Sequence, residues 1–328
     1  MLDRNHWKHR AQAALNQAPT DSKRLLLIHV GVMTLASLVL TVIHYYLQLQ
    51  IDTTGGLSGI AARSMLSTVQ SVLQLFYFVL TPFWQAGYLL VAILVARGEP
   101  TDTNTLFSGL RRFGPLLRLY LLQILIFGAV FLGSSYLSST LYMLTPWGSQ
   151  LMEQMLPMME NPEALLSSEA DMALMAEHSL PMLLLGAAIF LVAAFPVFYL
   201  LRMSQYRILD GQTSALKAIR ESMAMMKGNI FPLFRLDLSF WWFYALEILI
   251  GLIGYADILL DLIGHPLPFG AALGFFLPYI LYLVLQFGFQ LWQKNRIAVT
   301  YAVAYEFLRQ PKEPKAESKK LPWDNVAQ

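Results

Sequence analysis

The chain alternates long apolar stretches with short polar ones. A transmembrane helix needs about 20 apolar residues to cross roughly 30 Å of hydrocarbon. Six stretches satisfy this requirement and predict spans at about 24–49, 67–96, 115–143, 180–204, 230–254 and 269–293. The pattern therefore predicts an all-α polytopic membrane bundle, a single six-span domain over residues 1–309, followed by a basic polar tail at 310–328. Pro82 and Pro278 lie inside predicted spans and indicate kinks there, because proline cannot donate the helical hydrogen bond.

Basic residues lie almost entirely on one side of these spans. Of the 23 Lys and Arg residues, all but Arg63 fall in or beside the N-terminal segment, the loops after the second and fourth spans, or the C-terminal segment. Lys and Arg near span ends are retained on the cytoplasmic side, so both termini are expected in the cytoplasm. The same distribution favours an even number of spans.

Two of the cytoplasmic loops predict amphipathic helices that lie along the membrane surface. In the segment 213–227, apolar residues recur at helical spacing while charged residues occupy the opposite face. The predicted apolar face consists of Leu216, Ile219, Met223 and Met226. A shorter counterpart is predicted over residues 103–113. On the outer side, the acidic, Met-rich segment 146–179 predicts further surface helices, with Cu(I) binding by methionine as the alternative.

The two cytoplasmic hairpins resemble each other in spacing. Pro82 to Gly114 and Pro196 to Gly228 are both separations of 32 residues. The spacing is compatible with a two-hairpin internal repeat, in which an axis along the membrane normal relates two units of the same orientation. Chance is the alternative, because the chain contains 16 prolines.

The composition excludes several classes of protein. Of 328 residues, 56% are hydrophobic and only 13% charged, with a mean hydropathy of +0.50, whereas a soluble domain carries about 25% charged residues. A soluble enzyme is therefore not expected. The net charge of +2 is too balanced to indicate a nucleic-acid surface. The absence of cysteine excludes disulfides, thiolate catalysis and iron–sulfur clusters.

Glu247 is the first candidate functional residue, because ionisable groups within membrane spans are rare and usually functional. It lies about 22 Å along the predicted fifth span, counted from Pro232 at 1.5 Å per residue. An ionised carboxylate at that depth requires a partner or a water-filled cavity. The sequence leaves two interpretations open, a proton-coupling or cation-binding carboxylate and a protonated residue hydrogen-bonded between helices.

A second set of polar residues is expected nearer the cytoplasm. It comprises Asp237, Arg235, Arg118, Arg202, Gln85, Gln123 and Gln286, with Gln290 at similar depth. These side chains could form a buried network of ion pairs and hydrogen bonds that closes the inner end of the bundle. The alternative is a cytoplasm-facing cavity for a lipid head group or a solute.

No metal, cofactor or catalytic site is predicted. Asp257, Asp261 and His265 share one helix face if the segment is helical, a spacing that could bind a divalent cation. Gly264 and Pro266 argue against helix through His265, so no metal site is assigned. The sequence contains no Gly-rich phosphate loop and no nucleophile–His–acid set, and we expect a non-enzymatic protein.

Three segments resemble a known family. The first is Lys8–Leu15 before the first span, and the strongest is the block Ala215–Asn229 leading into Phe234–Phe240. The third is Leu277-Pro278-Tyr279, followed by Ala302–Glu306. Together they resemble the bacterial membrane family catalogued as domain of unknown function 975. The resemblance implies a helical fold and the bacterial cytoplasmic membrane, and it implies no reaction.

Two function classes follow. The leading hypothesis is a non-enzymatic protein that organises the membrane or binds lipids, a membrane-protein partner or a second copy of itself. The alternative is a transporter or channel subunit with a polar cavity near Glu247. An intramembrane enzyme is a third and less favoured class. The observation that separates the first two is a polar cavity that reaches Glu247.

Overall fold

The computed structural model describes residues 4–17, 22–53, 56–150, 152–153, 169–211, 213–255 and 271–310. Within these ranges the secondary structure is helical. The first six helices are α1 (Arg4–Gln17), α2 (Ser22–Thr53), α3 (Gly56–Arg97), α4 (Thr103–Leu106), α5 (Ser108–Arg111) and α6 (Phe113–Met143). The next six are α7 (Glu169–Leu201), α8 (Ser204–Gly211), α9 (Ala215–Met226), α10 (Ile230–Leu238), α11 (Trp241–Gly254) and α12 (Ala271–Arg309).

Four stretches of these helices are long and apolar enough to cross a membrane. They are Ser22–Leu47, Arg63–Arg97, Phe113–Met143 and Pro181–Gly211. The pair α10 and α11 supplies a fifth span if its two bent parts are taken as one. The predicted sixth span falls in α12, which has 39 residues but is not among the helices that pass this test. The all-helical membrane-type architecture is confirmed, and the number six remains a prediction.

The predicted fifth span, 230–254, is not one continuous helix. It breaks after Leu238, and the axes of α10 and α11 differ by 55°. Ser239 provides a physical reason, since its hydroxyl donates to the Leu236 carbonyl at 2.5 Å. Serine side chains that bond to the preceding turn compete with the backbone ladder and bend helices. The break therefore divides the span into a nine-residue and a fourteen-residue helix.

The N-terminal helix α1 packs against this break. Lys8 Nζ donates to the Ser239 carbonyl at 3.5 Å and lies 4.4 Å from the centre of the Phe240 ring. Burial, with a further contribution from the Arg296 guanidinium, lowers the pKa of Lys8. Trp7 and Ala11 of the same helix are fully buried. The N-terminal segment is therefore part of the folded core.

The surface helices differ in detail from the prediction. The segment 103–113 forms two short helices, and Asp102 caps the first by accepting a hydrogen bond from the Thr105 amide at 2.9 Å. In α9, Ile219 and Met226 are buried, but Leu216 and Met223 are exposed. The buried face of α9 also contains the small residues Ala215, Ala218 and Ser222. Its packed face is thus rotated relative to the predicted apolar one.

The predicted internal repeat is not confirmed. Gly228 follows α9 with a φ of +80°, a backbone conformation that favours glycine. Its proposed counterpart, Gly114, lies inside the continuous helix α6. The surface helix α9 therefore ends at a glycine of positive φ, whereas the residue at the corresponding position after α5 continues into the next helix.

The best-packed part of the molecule lies where α1, the last turns of α3, α8 and the C-terminal half of α12 meet. We call this the terminal end. Its fully buried side chains include Trp7, Ile93, Ile208, Leu209 and Tyr305. Away from it, large apolar side chains such as Leu125, Val192 and Phe78 are exposed. These exposed apolar side chains are compatible with a lipid environment, since side chains that face hydrocarbon lose nothing by their exposure.

Two glycines permit close packing of α3 against α4 and α5. A Cβ atom on Gly87 would lie 1.8 Å from the Leu106 carbonyl oxygen, and one on Gly109 would lie 1.9 Å from the Phe83 carbonyl oxygen. Both obstructing atoms belong to the backbone, so no rotamer change can relieve the clash. Glycine is therefore required at both positions for this arrangement.

Some predicted features lie outside the described residues. These are residues 151 and 154–168 of the outer segment 146–179, the tail beyond residue 310, and the residues Asp257, Asp261 and His265.

Candidate functional site

A line of polar side chains runs along α12. Successive members are three or four residues apart, which places them on one face of the helix. They are Tyr279, Tyr282, Gln286, Gln290 and Lys294. Helix α3 carries a matching line made of Gln70, Gln74, Tyr77, Thr81, Gln85 and Tyr88. We call the polar zone between α2, α3, α11 and α12 the polar seam.

The larger of two cavities on this seam has a volume of about 820 Å³. Its walls come from the second half of α2, the first half of α3, the end of α11 and the early turns of α12. Ser37 and Tyr279 share a hydrogen bond of 2.8 Å across it, and Gln70 Nε2 donates to His44 Nδ1. The cavity therefore lies towards the end of the bundle away from the terminal end.

The smaller cavity has a volume of about 360 Å³ and lies nearer the terminal end. Its polar lining consists of His29, Gln85, Tyr88, Tyr120, Gln205, Glu247, Gln290 and Lys294. Leu89, Phe243 and Ile297 supply apolar walls. Ligand sites in proteins usually combine an apolar pocket of roughly this size with a few convergent polar groups. The cavity has that character, and it reaches Glu247.

Gln286 lies between the two cavities and contacts Glu247, which lines the smaller one. Gln286 Nε2 donates to Glu247 Oε1 at 3.2 Å, which joins α11 to α12. Gln286 Oε1 is buried and accepts no hydrogen bond. Gln286 follows Tyr282 of the larger cavity by one turn and precedes Gln290 of the smaller one by one turn. The Glu247–Gln286 contact is therefore the boundary between the two cavities along the seam.

Lys294 places a positive charge in the cavity that Glu247 also lines. Its Nζ donates to Gln290 Oε1 at 3.1 Å and lies 6.0 Å from the centre of the Tyr88 ring. Glu247 and Lys294 both line the cavity, yet none of the ion pairs between described residues joins them. Each is hydrogen-bonded to a neutral glutamine of α12 instead.

His29 is a fully buried member of the same cavity. Its ring stacks on Tyr88 at 4.5 Å and on Trp84 at 5.9 Å between ring centres. Neither ring nitrogen has a hydrogen-bond partner. A buried polar atom without a partner costs about 1–3 kcal/mol and calls for an explanation.

A second polar cluster holds α7, α10, α11 and α12 together. Asp237 accepts hydrogen bonds from Arg202, from Tyr301 and from Tyr199, the last at 2.5 Å. The Arg202 guanidinium also lies 4.4 Å from the centre of the Tyr301 ring. Tyr301 in turn shares a 3.2 Å hydrogen bond with Tyr244. The carboxylate is thus enclosed by its partners, as in the structural interpretation of the predicted network.

The remaining predicted residues are not all part of that network. Arg235 is exposed and lies over the Phe231 ring at 4.7 Å. Arg118 is also exposed. Gln123 donates to Ser204 Oγ at 3.1 Å, and Gln85 lines the smaller cavity. The predicted residues therefore do not form one network. Some belong to the Asp237 cluster, some line the smaller cavity, Gln123 contacts Ser204, and Arg118 and Arg235 are exposed.

Sequence reasoning did not anticipate the ionic cluster at the terminal end. Arg97 Nη2 contacts Glu306 Oε1 at 2.5 Å and Asp210 Oδ1 at 2.7 Å. Asp210 Oδ2 is also 2.7 Å from Arg309 Nη1 and accepts a 2.9 Å hydrogen bond from Tyr305. These contacts tie α3, α8 and α12 together at the terminal end. They were missed because all four charges lie beyond the ends of predicted spans, at 96, 204 and 293, where solvent exposure was expected.

His29, Lys294 and Gln205 were also missed as cavity residues. Lys294 was counted only as part of the positive-inside distribution, and His29 is a single polar residue within the apolar stretch 25–33. The available signal was the three- and four-residue spacing of polar side chains in α3 and α12. Among the described residues, no group of three or more His, Asp or Glu side chains could hold a metal ion.

Taken together, the described residues form a helical bundle with membrane-type spans and a polar seam between four of its helices. The chain belongs to the family described as Protein of unknown function (DUF975), whose model matches residues 1–295. This match confirms the resemblance seen in the sequence. No curated protein and no solved structure matches the chain.

Proposed function

We propose that this protein is a transporter or channel-like protein that moves a small polar solute along the polar seam. The observation that carries the proposal is the pair of polar cavities on one seam, separated by the Glu247–Gln286 contact. A passage that opens alternately to two sides needs a site reached from each side and a barrier between them. Two cavities with a contact between them support this interpretation.

Two further features support transport. Pro82 and Pro278 lie inside α3 and α12, the two helices that carry the polar lines, and proline weakens the local helical ladder. The break between α10 and α11 lies only a few residues before Glu247. Helices interrupted in this way are common at transporter binding sites, where neighbouring groups satisfy the freed backbone.

Single-cysteine labelling tests the proposal, and the natural chain is well suited because it has no cysteine. Thr41→Cys in the larger cavity and Gln290→Cys in the smaller one are treated with a membrane-impermeant cationic thiosulfonate from either side of sealed vesicles. Thr41→Cys should react from the side away from the termini, and Gln290→Cys from the side of the termini. Val284→Cys, whose side chain is 64% exposed on the surface of α12, is the control and should stay unlabelled in lipid.

Labelling of both cavity positions from the same side would contradict a passage with a central barrier. A passage would also be contradicted if either cavity cysteine stayed unlabelled in the folded protein although the same variant reacted fully once unfolded. Either result would leave the seam as a structural feature of the bundle.

The second candidate function is the organisation of membrane lipids or a membrane-protein partner, including another copy of the chain. The outward face of α9 supports it, since Leu216 is 59% exposed beside Lys217 and Arg220. An exposed apolar residue flanked by basic ones is typical of helices that lie in the membrane interface. Loss of lipid co-purification in Leu216→Ser with unchanged cysteine labelling would favour this role for α9.

For either function we place the protein in the cytoplasmic membrane of a bacterium, with both termini in the cytoplasm, and we take it to be non-enzymatic. The asymmetry of basic residues supports the orientation.

A further inference from the structure

Glu247 and Lys294 are the starting point, because opposite charges that line one cavity usually pair directly. Here they do not. Glu247 is held by Gln286 and Lys294 by Gln290, two glutamines one turn apart on α12. One helical turn corresponds to about 5–6 Å along the axis. The negative and positive groups are therefore offset along the seam by about that distance.

Separated charges in a low-dielectric interior are unfavourable unless something satisfies them. Each buried ion carries a desolvation penalty of several kcal/mol, which only close opposite charges and hydrogen bonds offset. Glu247 and Lys294 each have one hydrogen bond, to a different neutral glutamine. The carboxylate could accept further hydrogen bonds and the ammonium could donate further ones. A ligand with a positive and a negative end would supply both missing partners at once.

His29 is an independent indication of a ligand in this cavity. Its exposed fraction is 0%, and both of its ring nitrogens lack partners although the ring lines the cavity. Stacking on Tyr88 and Trp84 restricts the ring to one plane. A polar ligand in the cavity would provide the hydrogen bond that the protein does not.

We propose that the smaller cavity binds a small zwitterion, with its ammonium group on the Glu247 carboxylate and its anionic group on the Lys294 ammonium. The proposal rests on the proposed function only in treating this cavity as the solute site. The short offset between the two charges selects ligands whose own charges are a few bonds apart. A free amino acid and the phosphoethanolamine head group of a lipid share this chemistry, and Phe243, Leu89 and Ile297 accommodate an apolar remainder in either case.

Calorimetric titration of the purified full chain tests the proposal. The probes are glycine, β-alanine, 6-aminohexanoate and O-phosphoethanolamine, with propionate and propylamine as ligands of a single charge. We expect binding of short zwitterions, weaker binding of 6-aminohexanoate, and no measurable binding of propionate or propylamine. Preference for O-phosphoethanolamine identifies a lipid head group as the source, and preference for the amino acids identifies a free solute.

Charge-removing variants locate the site. Glu247→Gln and Lys294→Gln should each weaken zwitterion binding by about 30-fold or more, the effect of removing one partner of a desolvated charge pair. His29→Phe keeps a ring to stack on Tyr88 and Trp84 and removes both nitrogens, and we expect a loss of about tenfold, the worth of one hydrogen bond to a charged group. The control is Lys23→Gln, since Lys23 is exposed at the start of α2, lines neither cavity, and its removal should leave binding unchanged.

Three results would overturn the proposal. The first is that the wild-type chain binds zwitterions and single-charge ligands with equal affinity. The second is that the folded Glu247→Gln and Lys294→Gln variants bind zwitterions as tightly as the wild type does. The third is that the wild-type chain binds no zwitterion. If one variant does not fold, the other and His29→Phe still decide the matter. Flux measurements in reconstituted vesicles separate the two proposals. Zwitterion binding without flux refutes transport alone, and flux of another solute without zwitterion binding refutes the ligand assignment alone.

Discussion

Replacing Asp237 with leucine tests the cluster that joins α7, α10, α11 and α12. The substitution removes the acceptor for Arg202, Tyr199 and Tyr301 and leaves an arginine whose side chain is only 17% exposed without its counter-charge. Breaking a buried ion pair on one side costs about 3–5 kcal/mol. Because Arg202 keeps some solvent and its contact with the Tyr301 ring, we expect about 3 kcal/mol for Asp237→Leu.

Removing both charges should be much less harmful. Replacing a buried ion pair by apolar side chains of similar volume is often neutral, so Arg202→Met with Asp237→Leu should recover most of the lost stability. The assay is unfolding in mixed micelles with increasing denaturant, arranged as a double-mutant cycle. Arg235→Met is the matched control, because Arg235 lies two residues from Asp237 but is exposed, and it should change stability by less than about 0.5 kcal/mol.

A destabilisation of less than about 1 kcal/mol for Asp237→Leu would contradict a buried ion pair, because that value lies in the range of surface pairs. A double variant as unstable as the sum of the two single variants would also contradict such a pair, since the charges would then be uncoupled.

Three further predictions concern the scaffold. Gly87→Ala should destabilise the protein by at least about 1–3 kcal/mol in the same unfolding assay, because its Cβ would meet the Leu106 carbonyl, whereas Gly128→Ala faces open space and should be tolerated. Lys8 has a lowered pKa in the folded protein, so its protonated form opposes folding and stability should rise with pH up to about 10.5; Lys8→Met should lack this rise in pH-dependent unfolding curves. Reporter fusions at both termini and near residue 212 should agree on the cytoplasmic side, and an outer signal from the C-terminus would contradict the sixth span.

The class of fold was predictable from the sequence because hydrocarbon thickness fixes the length of an apolar span. Four of the predicted spans coincide with helices that pass the test of length and composition. The break at Ser239 was not predictable, because the apolar pattern continues across it and a side-chain hydrogen bond to the preceding turn causes it. The rotated packing of α9 has a similar origin, since Ala215, Ala218 and Ser222 permit closer approach than Leu216.

The candidate site was predicted only in part. Glu247 and Asp237 were identified because a carboxylate in an apolar span is conspicuous whatever its partners. The partners themselves, among them Tyr301 and His29, lie on other helices, and their sequence separation carries no information about contact. Ionisable side chains can therefore be flagged from one sequence, while the cavity between Glu247 and Lys294 depends on how four helices are arranged in space.

The break between α10 and α11 makes α11 a lever arm. At about 1.5 Å of rise per residue, Glu247 lies about 10 Å from the fulcrum near Trp241, whereas Gly254 lies about 20 Å from it. A rotation that displaces the wall of the larger cavity at Gly254 by a given amount therefore shifts Glu247 by only half as much. One hydroxyl group, that of Tyr301, bonds to Asp237 on one side of the fulcrum and to Tyr244 on the other. Tyr301 therefore bridges the two arms, and a change in the angle between them would displace the wall of the larger cavity more than it displaces Glu247.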